Sequence, residues 1–518
     1  MLRPRSSSDN VGIADREGAP GSMARPDPVA ARAQLLPVLI FLGMVVAVVS
    51  SLGAPMIPTI AALDHVTLAT AQWSLTITLL VGAVATPTMG RLGDGPHRKA
   101  VVVVSLAAVV AGSVLAALPL PFAALVIGRG LQGIGLGLTP LAIATARDHL
   151  PPEKSRSAVA LLSITTVAGV GLGYPLTGLI AERFSVHGGF WFGAIISALA
   201  LLAAILVVPA SSHRPKRRLD VSGALLLGLG LGTLLLGLSE AEQWGWSSPR
   251  LIACGLVSAL LLAGFVVREL RAAHPLVDLK LARNRTVLTA DVTGLCAGVG
   301  MYLLLSLITR FVQTPSSAGY GFGSSIVVAG FVLLPFSVAS VVSSKVVPIL
   351  ARRTSPDLVL PFGCTVLVVA MATFLLAHGS LWQVMVTMAI AGLGVGCTFA
   401  AMPGLIVRSV LPQETGSAMS FNQVLRTVGY SMGSALSATV LQAHTAAHAV
   451  LPSYGGYQTA AVLGLSTCAV TIVISFFLPR VGRSADVDEQ LVRDSVDAAA
   501  SGTFLYDDES HPLRGAAT

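Results

Sequence analysis

Residues 90–99 read GRLGDGPHRK, which places four charged side chains and a histidine between two apolar segments. The segment before it, residues 73–89, is WSLTITLLVGAVATPTM, and the segment after it, residues 100–120, is AVVVVSLAAVVAGSVLAALPL. A helix that crosses a bilayer needs about 20 apolar residues. The stretch therefore predicts two membrane helices joined by a short charged loop.

The composition of the whole chain agrees with this. Of 518 residues, 54% are hydrophobic and 11% are charged, whereas soluble domains carry about 25% charged residues. The formal net charge is +8, but the basic residues recur between apolar runs and do not cluster on one domain, so no nucleic acid is expected as a partner. The sequence predicts an all-α polytopic membrane protein.

Catalytic and metal sites are not expected. The five cysteines stand singly in apolar runs, without the spacing of metal ligands. The pattern G-x-x-x-x-G-K-[ST] is absent, and so are HExxH and paired aspartates in the apolar runs. We therefore expect no enzyme, no cofactor and no bound metal.

Fourteen apolar runs are long enough to cross the membrane as helices. If the N terminus is inside, all but five of the 33 Lys and Arg residues fall on the inner side or in the terminal segments. Positive charge marks the cytoplasmic side, so both termini are predicted in the cytoplasm. The low share of lysine and the heavy use of Ala, Gly and Val suggest a bacterial chain, and hence the plasma (inner) membrane. The runs are 35–58, 70–90, 100–118, 121–146, 157–181, 189–210, 221–239, 251–267, 286–309, 323–344, 358–377, 381–406, 418–443 and 457–479.

A repeat relates the two ends of the apolar region, with an offset of about 260 residues. Parallel repeats in a membrane protein are typical of transporters whose substrate site lies between the halves, near mid-bilayer. The matching segments are GIGLGLT (133–139) and GLGVGCT (392–398), LPPEKSRSA (150–158) and LPQETGSA (411–418), and the pairs Gly169/Gly173 and Gly429/Gly433. The predicted organisation is a disordered cytoplasmic arm (1–34), a six-helix bundle (35–210), two inserted helices with flanking loops (211–285), a second six-helix bundle (286–480) and a disordered acidic cytoplasmic tail (481–518).

Three stretches carry recognisable motifs: GRLGDGPHRK, RGLQG at residues 129–133, and GVGLGYPLTG at residues 169–178. Together they resemble the major facilitator superfamily, in particular its fourteen-span drug:proton antiporters, over about residues 35–480. The first resembles the loop motif G-x-L-x-D-x-x-G-R-K at Gly90, Leu92, Asp94, Arg98 and Lys99, with His97 in place of a glycine. The second matches the span 4 motif at Arg129, Gln132 and Gly133, and the third resembles the span 5 antiporter motif at Gly169, Gly173, Pro175 and Gly178, with Tyr174 between the expected glycine and proline.

The physics of the loop motif suggests a gate. Gly90 lets two helices approach closely. Asp94 can accept hydrogen bonds from a helix N-terminus, or pair with an arginine, and so hold the inner side shut. Arg98 and Lys99 are expected to anchor the loop at the anionic leaflet.

The resemblance implies that Arg129, with Gln132 beside it, takes part in proton coupling or substrate contact. The alternative is an arginine tied to backbone carbonyls for packing. GRGLQG also satisfies G-x-G-x-x-G, but a nucleotide site needs a preceding strand, which a membrane helix does not provide. In span 5, the glycines and Pro175 permit close packing and a bend, and the family implies a seal biased towards export.

Antiporters of this branch carry an aspartate in span 1, where this chain reads VVSSLGAPMIP (48–58) with Val49 at the position of the acid. The one acid inside the limits of any predicted span is Asp291 in span 9. By elimination it is a candidate proton carrier; the alternative is pairing with Arg283 or Arg285 near the inner surface. Arg426 lies in span 13, with Asn422 and Gln423 within about one turn. If Arg129 and Arg426 face the cavity, its potential is positive, which favours neutral or anionic substrates.

The sequence thus predicts a secondary-active exporter of small amphipathic molecules, coupled to protons and working by alternating access. Its expected partners are a small-molecule substrate, protons and the lipid bilayer, and a monomer is expected. Two alternatives remain open: an importer or uniporter on the same fold, and a membrane sensor or scaffold whose acidic tail recruits a partner.

Overall fold

The computed structural model describes residues 28–52, 56–66, 68–210, 220–245, 247–272, 275–276, 284–354, 358–410, 415–445 and 451–477. Within these ranges the regular structure is helical throughout. The acidic tail and most of the predicted N-terminal arm lie outside them. Residues 28–34 do not belong to a disordered arm, because they form the first turns of α1. A proline in the first turn followed by an alanine-rich stretch favours a helix there.

The helices are, in chain order, α1 (Pro28–Ser51), α2 (Ile57–Leu63), α3 (Leu68–Gly93), α4 (Arg98–Ala117), α5 (Phe122–Gly133), α6 (Leu138–His149), α7 (Pro152–Val207), α8 (Val221–Trp244), α9 (Pro249–Arg271), α10 (Arg285–Gln313), α11 (Ile326–Val332), α12 (Leu334–Arg353), α13 (Val359–Leu376), α14 (Leu381–Ser409), α15 (Thr415–Ala443) and α16 (Tyr454–Ser475). A 3-10 turn, Ile134–Gly137, continues α5 into α6.

Twelve helices of the described chain are long and apolar enough to cross a membrane, which makes this a multi-pass membrane protein. The other two predicted runs, 157–181 and 418–443, fall within α7 and α15. α7 consists of two helices that meet at Ser185, whose φ of 65° and ψ of 177° are not helical. α15 is a continuous helix of 29 residues, but its many Ser, Thr, Asn and Gln residues lower its hydropathy. The count of fourteen spans stays a prediction.

Equivalent glycines bring equivalent helices together in the two parts of the repeat. A Cβ on Gly133 would overlap the Thr78 carbonyl of α3, and a Cβ on Gly392 would overlap the Phe336 carbonyl of α12. Small residues allow membrane helices to approach this closely. α5 therefore packs on α3 as α14 packs on α12.

The first part of α7 packs on α1 as α15 packs on α10. Here too the approach is so close that a side chain on the glycine would overlap its neighbour. The pairs are Gly169 on Ala47 and Gly173 on Ser51 in the first case, and Gly429 on Leu295 and Gly433 on Val299 in the second. Helices α1, α3 and α7 thus correspond to α10, α12 and α15.

Two seams join the parts of the repeat. At one, α3 packs on α15; at the other, α12 packs on the first part of α7, where the Ser337 hydroxyl donates to the Ala168 carbonyl at 2.9 Å. The helix correspondence makes the two seams equivalent. α8 packs against both α3 and α15 and therefore lies along the first seam.

Candidate functional site

A buried carboxylate joins α3 to α15 at the end of the bundle that carries the α3–α4 loop, which we name the loop end. Asp94 is 1% exposed. It accepts hydrogen bonds from the backbone N–H of Gly416 and of Ser417, both at 2.9 Å, and from the Ser417 hydroxyl at 2.6 Å. These groups belong to the first turn of α15, where unpaired N–H groups and the helix dipole favour an anion. We call this contact the latch.

Glycines on both sides make the latch possible. A Cβ on Gly90 would overlap the Ser420 hydroxyl and lie 2.8 Å from the Gly416 carbonyl oxygen. A Cβ on Gly416 would lie 2.5 Å from the Asp94 carboxylate oxygen. Any side chain at either glycine would therefore push α3 and α15 apart or displace the carboxylate.

A second residue reaches across the same end of the bundle. Arg147, in the last turn of α6, donates to the Thr415 hydroxyl and, at 3.2 Å, to the Val410 carbonyl oxygen. Sequence reasoning did not single out Arg147. The available signal was its place just before the repeated LPPEKSRSA segment, but a basic residue at a span end reads equally well as a topology signal.

Arg98 does not anchor the loop at the leaflet, so this prediction is wrong. Its side chain is 2% exposed, donates to the Gly93 carbonyl oxygen at 2.7 Å and forms a salt bridge with Asp148 at 2.5 Å. A guanidinium that finds both a carboxylate and a carbonyl inside the fold is better satisfied there than at the surface. Two other motif residues are more accessible: Lys99, which donates to the Ile205 carbonyl oxygen at 2.8 Å, and Leu92, which is exposed.

Burial raises the pKa of the Asp94 carboxyl, while the hydrogen bonds from Ser417 and Gly416 and the charge of Arg98 act in the opposite direction. Burial of the ionised carboxylate in the latch therefore costs desolvation free energy, and its hydrogen bonds offset only part of that free energy. Both the ionised and the protonated carboxyl can accept hydrogen bonds from the first turn of α15.

Arg129 is bound almost entirely by polar groups of the protein. It lies in α5, is 0% exposed, and makes four hydrogen bonds. Three of them reach the carbonyl oxygens of Val49, Ser50 and Ser74 at 2.9 Å, and the fourth reaches the Gln132 amide oxygen at 2.6 Å. Two of these carbonyls belong to the stretch of α1 where the antiporter pattern has its acid. Backbone oxygens thus hold the guanidinium in the place where a carboxylate is expected.

The neighbours of Arg129 complete a closed network. Gln132 donates onward to the Ser113 hydroxyl at 2.9 Å, and Thr78 donates to the Arg129 carbonyl oxygen at 3.1 Å. An arginine has five N–H donors, and four are used here. The geometry matches the packing interpretation of Arg129: it ties α1, α3 and α5 together.

The second cluster lies between α10 and α15. The side chain of Asn284 accepts from Thr286 N at 2.9 Å and caps the start of α10, which sets Asp291 almost two turns into the helix. Asp291 is 2% exposed and accepts from the Asn422 side-chain amide at 2.9 Å. The opposite, oxygen end of that amide is buried without a hydrogen-bond partner in the described part of the chain.

Arg426 lies one turn beyond Asn422 and is 1% exposed. Its guanidinium stacks 3.8 Å from the Phe399 ring centroid and donates to the Tyr430 hydroxyl at 3.2 and 3.3 Å. Tyr430 in turn stacks on Tyr302, with ring centroids 4.5 Å apart. In contrast with Arg129, this cation is held by a ring face and one hydroxyl, so it retains N–H donors for another acceptor.

The structure therefore pairs Asp291 with Asn422 and places Arg426 one turn further along α15. We name these three residues the α10–α15 polar cluster; Arg129 and Gln132 lie apart from it in α5. Gln423 is buried, but its side chain makes no hydrogen bond to the cluster among the described residues. The span 5 motif residues Gly169, Gly173, Pro175 and Gly178 lie in α7, where the first two form the contact with α1. Among the described residues, no group of three or more His, Cys, Asp or Glu side chains could hold a metal.

Comparison with known proteins gives consistent matches. The profile described as Major Facilitator Superfamily matches residues 39–434. Multidrug resistance protein 3 of Bacillus subtilis (strain 168) is 27% identical over 432 residues, or 81% of each chain. The Tetracenomycin C resistance and export protein of Streptomyces glaucescens is 28% identical over 440 residues, or 81% of this chain and 79% of the relative. The crystal structure of the human organic anion transporter MFSD10 (TETRAN) shares the fold, with a TM-score of 0.58 at 17% identity, over 86% of this chain and 99% of that one.

Proposed function

The chain belongs to the major facilitator superfamily, and we propose that it exports small amphipathic molecules from the cell in exchange for protons. The observation that carries the proposal is a buried acid, Asp291, held by the amide of Asn422, with the incompletely satisfied cation Arg426 one turn further along the same helix as that amide. The names of the relatives, which refer to drug resistance and export, support the direction of transport.

Asn422 is suited to a carboxyl that gains and loses a proton. Its NH2 group donates to the ionised Asp291, as in this structure. After rotation of the amide, its oxygen would accept from the protonated carboxyl, because an amide presents a donor and an acceptor on one group. Both protonation states of Asp291 are thereby hydrogen-bonded, which keeps a buried acid usable in a transport cycle.

α15 connects this acid to the latch. Gly416 and Ser417, which hold Asp94, lie at the start of the helix, and Asn422 follows five residues after Ser417. At 1.5 Å per residue this is about 8 Å along one rigid element. A change in the bond between Asp291 and Asn422 shifts or rotates α15, and this weakens or strengthens the latch at its N-terminus.

The remaining assignments follow from the same arrangement. The loop end faces the cytoplasm, residues 35–210 and 286–480 form the two halves that rock, and the substrate binds between them. A membrane potential of about 100 mV supplies about 2.3 kcal/mol per charge moved, which is adequate for antiport. Because Arg129 uses four of its five N–H donors within the protein and Arg426 retains more of its own, the positive charge open to a substrate lies mainly on Arg426, and neutral or anionic substrates suit it best.

The test uses everted membrane vesicles with an acidic lumen, a fluorescent pH probe, and fluorescein and ethidium as anionic and cationic candidate substrates. The intact protein should release protons from the lumen when its substrate is added. Asp291→Asn should abolish this release, because the amide cannot carry a proton, while exchange of labelled for unlabelled substrate continues.

The matched control is Asp64→Asn, a partly exposed aspartate in the loop after α2, which should leave proton release unchanged. If Asp291→Asn still transports in response to a pH gradient, Asp291 is not the proton carrier. Uptake driven by the pH gradient would show that the protein is an importer. Transport that does not depend on the pH gradient would show that it is a uniporter.

A further inference from the structure

Two helices, α8 (Val221–Trp244) and α9 (Pro249–Arg271), lie between the repeated parts of the chain and have no counterpart in the repeat. We name them the inserted pair. α9 packs chiefly on α8, and large apolar side chains such as Ile252, Leu256 and Leu260 are exposed on it. α8 contacts the rest of the protein through α3 and α15.

The contact of α8 with α3 is made by glycines. A Cβ on Gly228 would lie 2.8 Å from a Val84 methyl carbon, and one on Gly232 would lie 4.0 Å from the Leu80 side chain. At these glycines the side chains of α3 pack directly against the backbone of α8, which interlocks the two helix surfaces. α8 is therefore fitted closely to α3.

The contact of α8 with α15 is made by longer side chains. Leu227, Leu231 and Leu235 are buried in a cluster that includes Val424 and Val428 of α15 and reaches Ala83 of α3. No hydrogen bond or ion pair between α8 and α15 is present among the described residues. A purely apolar contact between side chains is non-directional and permits one helix to slide past the other.

The inserted pair is pinned together at the loop end. Asp220 caps α8 by accepting from Gly223 N at 3.0 Å, and it forms a salt bridge with Arg268 of α9 at 3.0 Å. The buried Glu269 accepts from Leu276 N at 3.1 Å. These bonds make α8 and α9 one unit at that end, so the pair moves as a body.

The inserted pair breaks the symmetry between the two seams. The α3–α15 seam and the α12–α7 seam are equivalent in the repeat, but α8 lies along the first, and neither inserted helix packs substantially on α7 or α12 among the described residues. During alternating access both seams must loosen, so only the first has a helix to cover the opening.

We propose that the inserted pair is a lateral seal that travels with α3, so that the α3–α15 seam stays closed to lipid. Amphipathic molecules dissolved in the bilayer then reach the central site through the α12–α7 seam. The second statement rests on the proposed export function, whereas the first requires only that the two halves move.

The first test measures access from the lipid and needs no substrate. Val424 of α15 and Ile164 of α7 occupy corresponding positions at the two seams, and both are buried. Each is replaced by cysteine, in a chain whose five native cysteines are changed to alanine, and labelled in vesicles with a maleimide that carries a dodecyl chain. Ile164→Cys should react about ten times faster than Val424→Cys, which corresponds to about 1.4 kcal/mol in seam opening.

The matched comparison shortens two α8 side chains that pack on α15. Leu227→Ala with Leu231→Ala should raise the labelling rate of Val424→Cys and leave that of Ile164→Cys unchanged. Equal rates at the two positions in the intact protein, or no response of Val424→Cys to the two shortened side chains, would overturn the proposal. The labelling rates can be measured even in a protein that exports nothing. Failure of the lateral seal can therefore be distinguished from failure of the proposed export function.

The second test asks which helix carries the seal. A cross-link between Gly232→Cys and Leu80→Cys joins α8 to α3 and should leave efflux of the identified substrate unchanged. A cross-link between Leu231→Cys and Val428→Cys joins α8 to α15 and should stop efflux until it is reduced. Arrest by the first cross-link, or full efflux with the second, would show that α8 does not travel with α3.

Discussion

Removal of the Asp94 carboxylate should open the loop end. In Asp94→Ala, the backbone N–H groups of Gly416 and Ser417 and the Ser417 hydroxyl lose their shared acceptor. The rest of the loop is untouched, because Arg98 keeps its bonds to Gly93 and Asp148.

The magnitude follows from the three bonds and the cost that opposes them. A hydrogen bond to a charged group contributes about 1.5–3 kcal/mol net, and an anion at a helix N-terminus adds about 0.3–1 kcal/mol. Burial raises the pKa of Asp94, so desolvation offsets a large part of this sum. We expect a net loss of about 2 kcal/mol, which lowers the ratio of latched to open molecules about 30-fold. Asp94→Asn keeps one acceptor oxygen and removes the buried charge, and should cost about half as much.

Spin labels report the opening directly. Labels at the exposed positions His97, just before α4, and Arg408, on α14, lie at the loop end, and pulsed dipolar spectroscopy gives the distribution of distances between them. The population at long distance should increase in the order intact protein, Asp94→Asn, Asp94→Ala. Lys99→Gln is the matched control, because Lys99 belongs to the same loop but binds Ile205 of the same half. A distribution in Asp94→Ala that equals that of the intact protein would refute the latch.

Three further predictions address the polar groups. Arg129→Met leaves three buried backbone carbonyls without the guanidinium and, at about 1–3 kcal/mol for each group, should destabilise the fold by several kcal/mol; an unchanged melting temperature in detergent would contradict the packing role. Arg426→Met removes the cation over Phe399 and should reduce efflux of fluorescein more than efflux of ethidium, so a loss confined to ethidium would exclude the predicted substrate charge. Burial acts to raise the pKa of Asp220, but the hydrogen bonds from Arg268, Gly223 and Ser222 outweigh it and lower the pKa to about 2. The ion pair therefore stabilises the inserted pair above pH about 4, and this stabilisation is lost as the pH falls towards 2. Asp220→Asn should flatten the dependence of the melting temperature on pH in that range, and an identical dependence in both proteins would count against it.

The loop shows what a local pattern can predict. The sequence predicts Gly90 and Asp94 as latch candidates, because a plain basic loop requires neither a glycine nor a carboxylate. Their partners could not be named, since Gly416 and Ser417 lie more than 300 residues away in the chain. Only the packing of α3 against α15 selects which helix N-terminus the carboxylate meets.

The arginines show where reasoning from the sequence stops. Arg98 was expected at the leaflet because a basic residue at a span end usually marks topology, but Asp148, 50 residues later, neutralises it inside the protein. Arg147 was overlooked for the same reason. Arg129 and Arg426 look alike in sequence, each a lone cation in an apolar run. The number of acceptors around each is a property of the packed neighbours and cannot be counted beforehand.

The distribution of these groups explains how a duplicated scaffold can perform a one-sided task. α7 and α15 correspond in the repeat and make the same glycine contacts, yet the positions of Asn422 and Arg426 are taken in α7 by Leu162 and Thr166. α15 therefore carries the latch partner at its N-terminus, then the amide that holds Asp291, then the cation, all within about 15 Å of helix rise. In the other half the polar network around Arg129 is closed on itself and holds helices together. One half supplies a rigid frame, while the other carries on a single helix the groups to which we assign the proposed proton coupling.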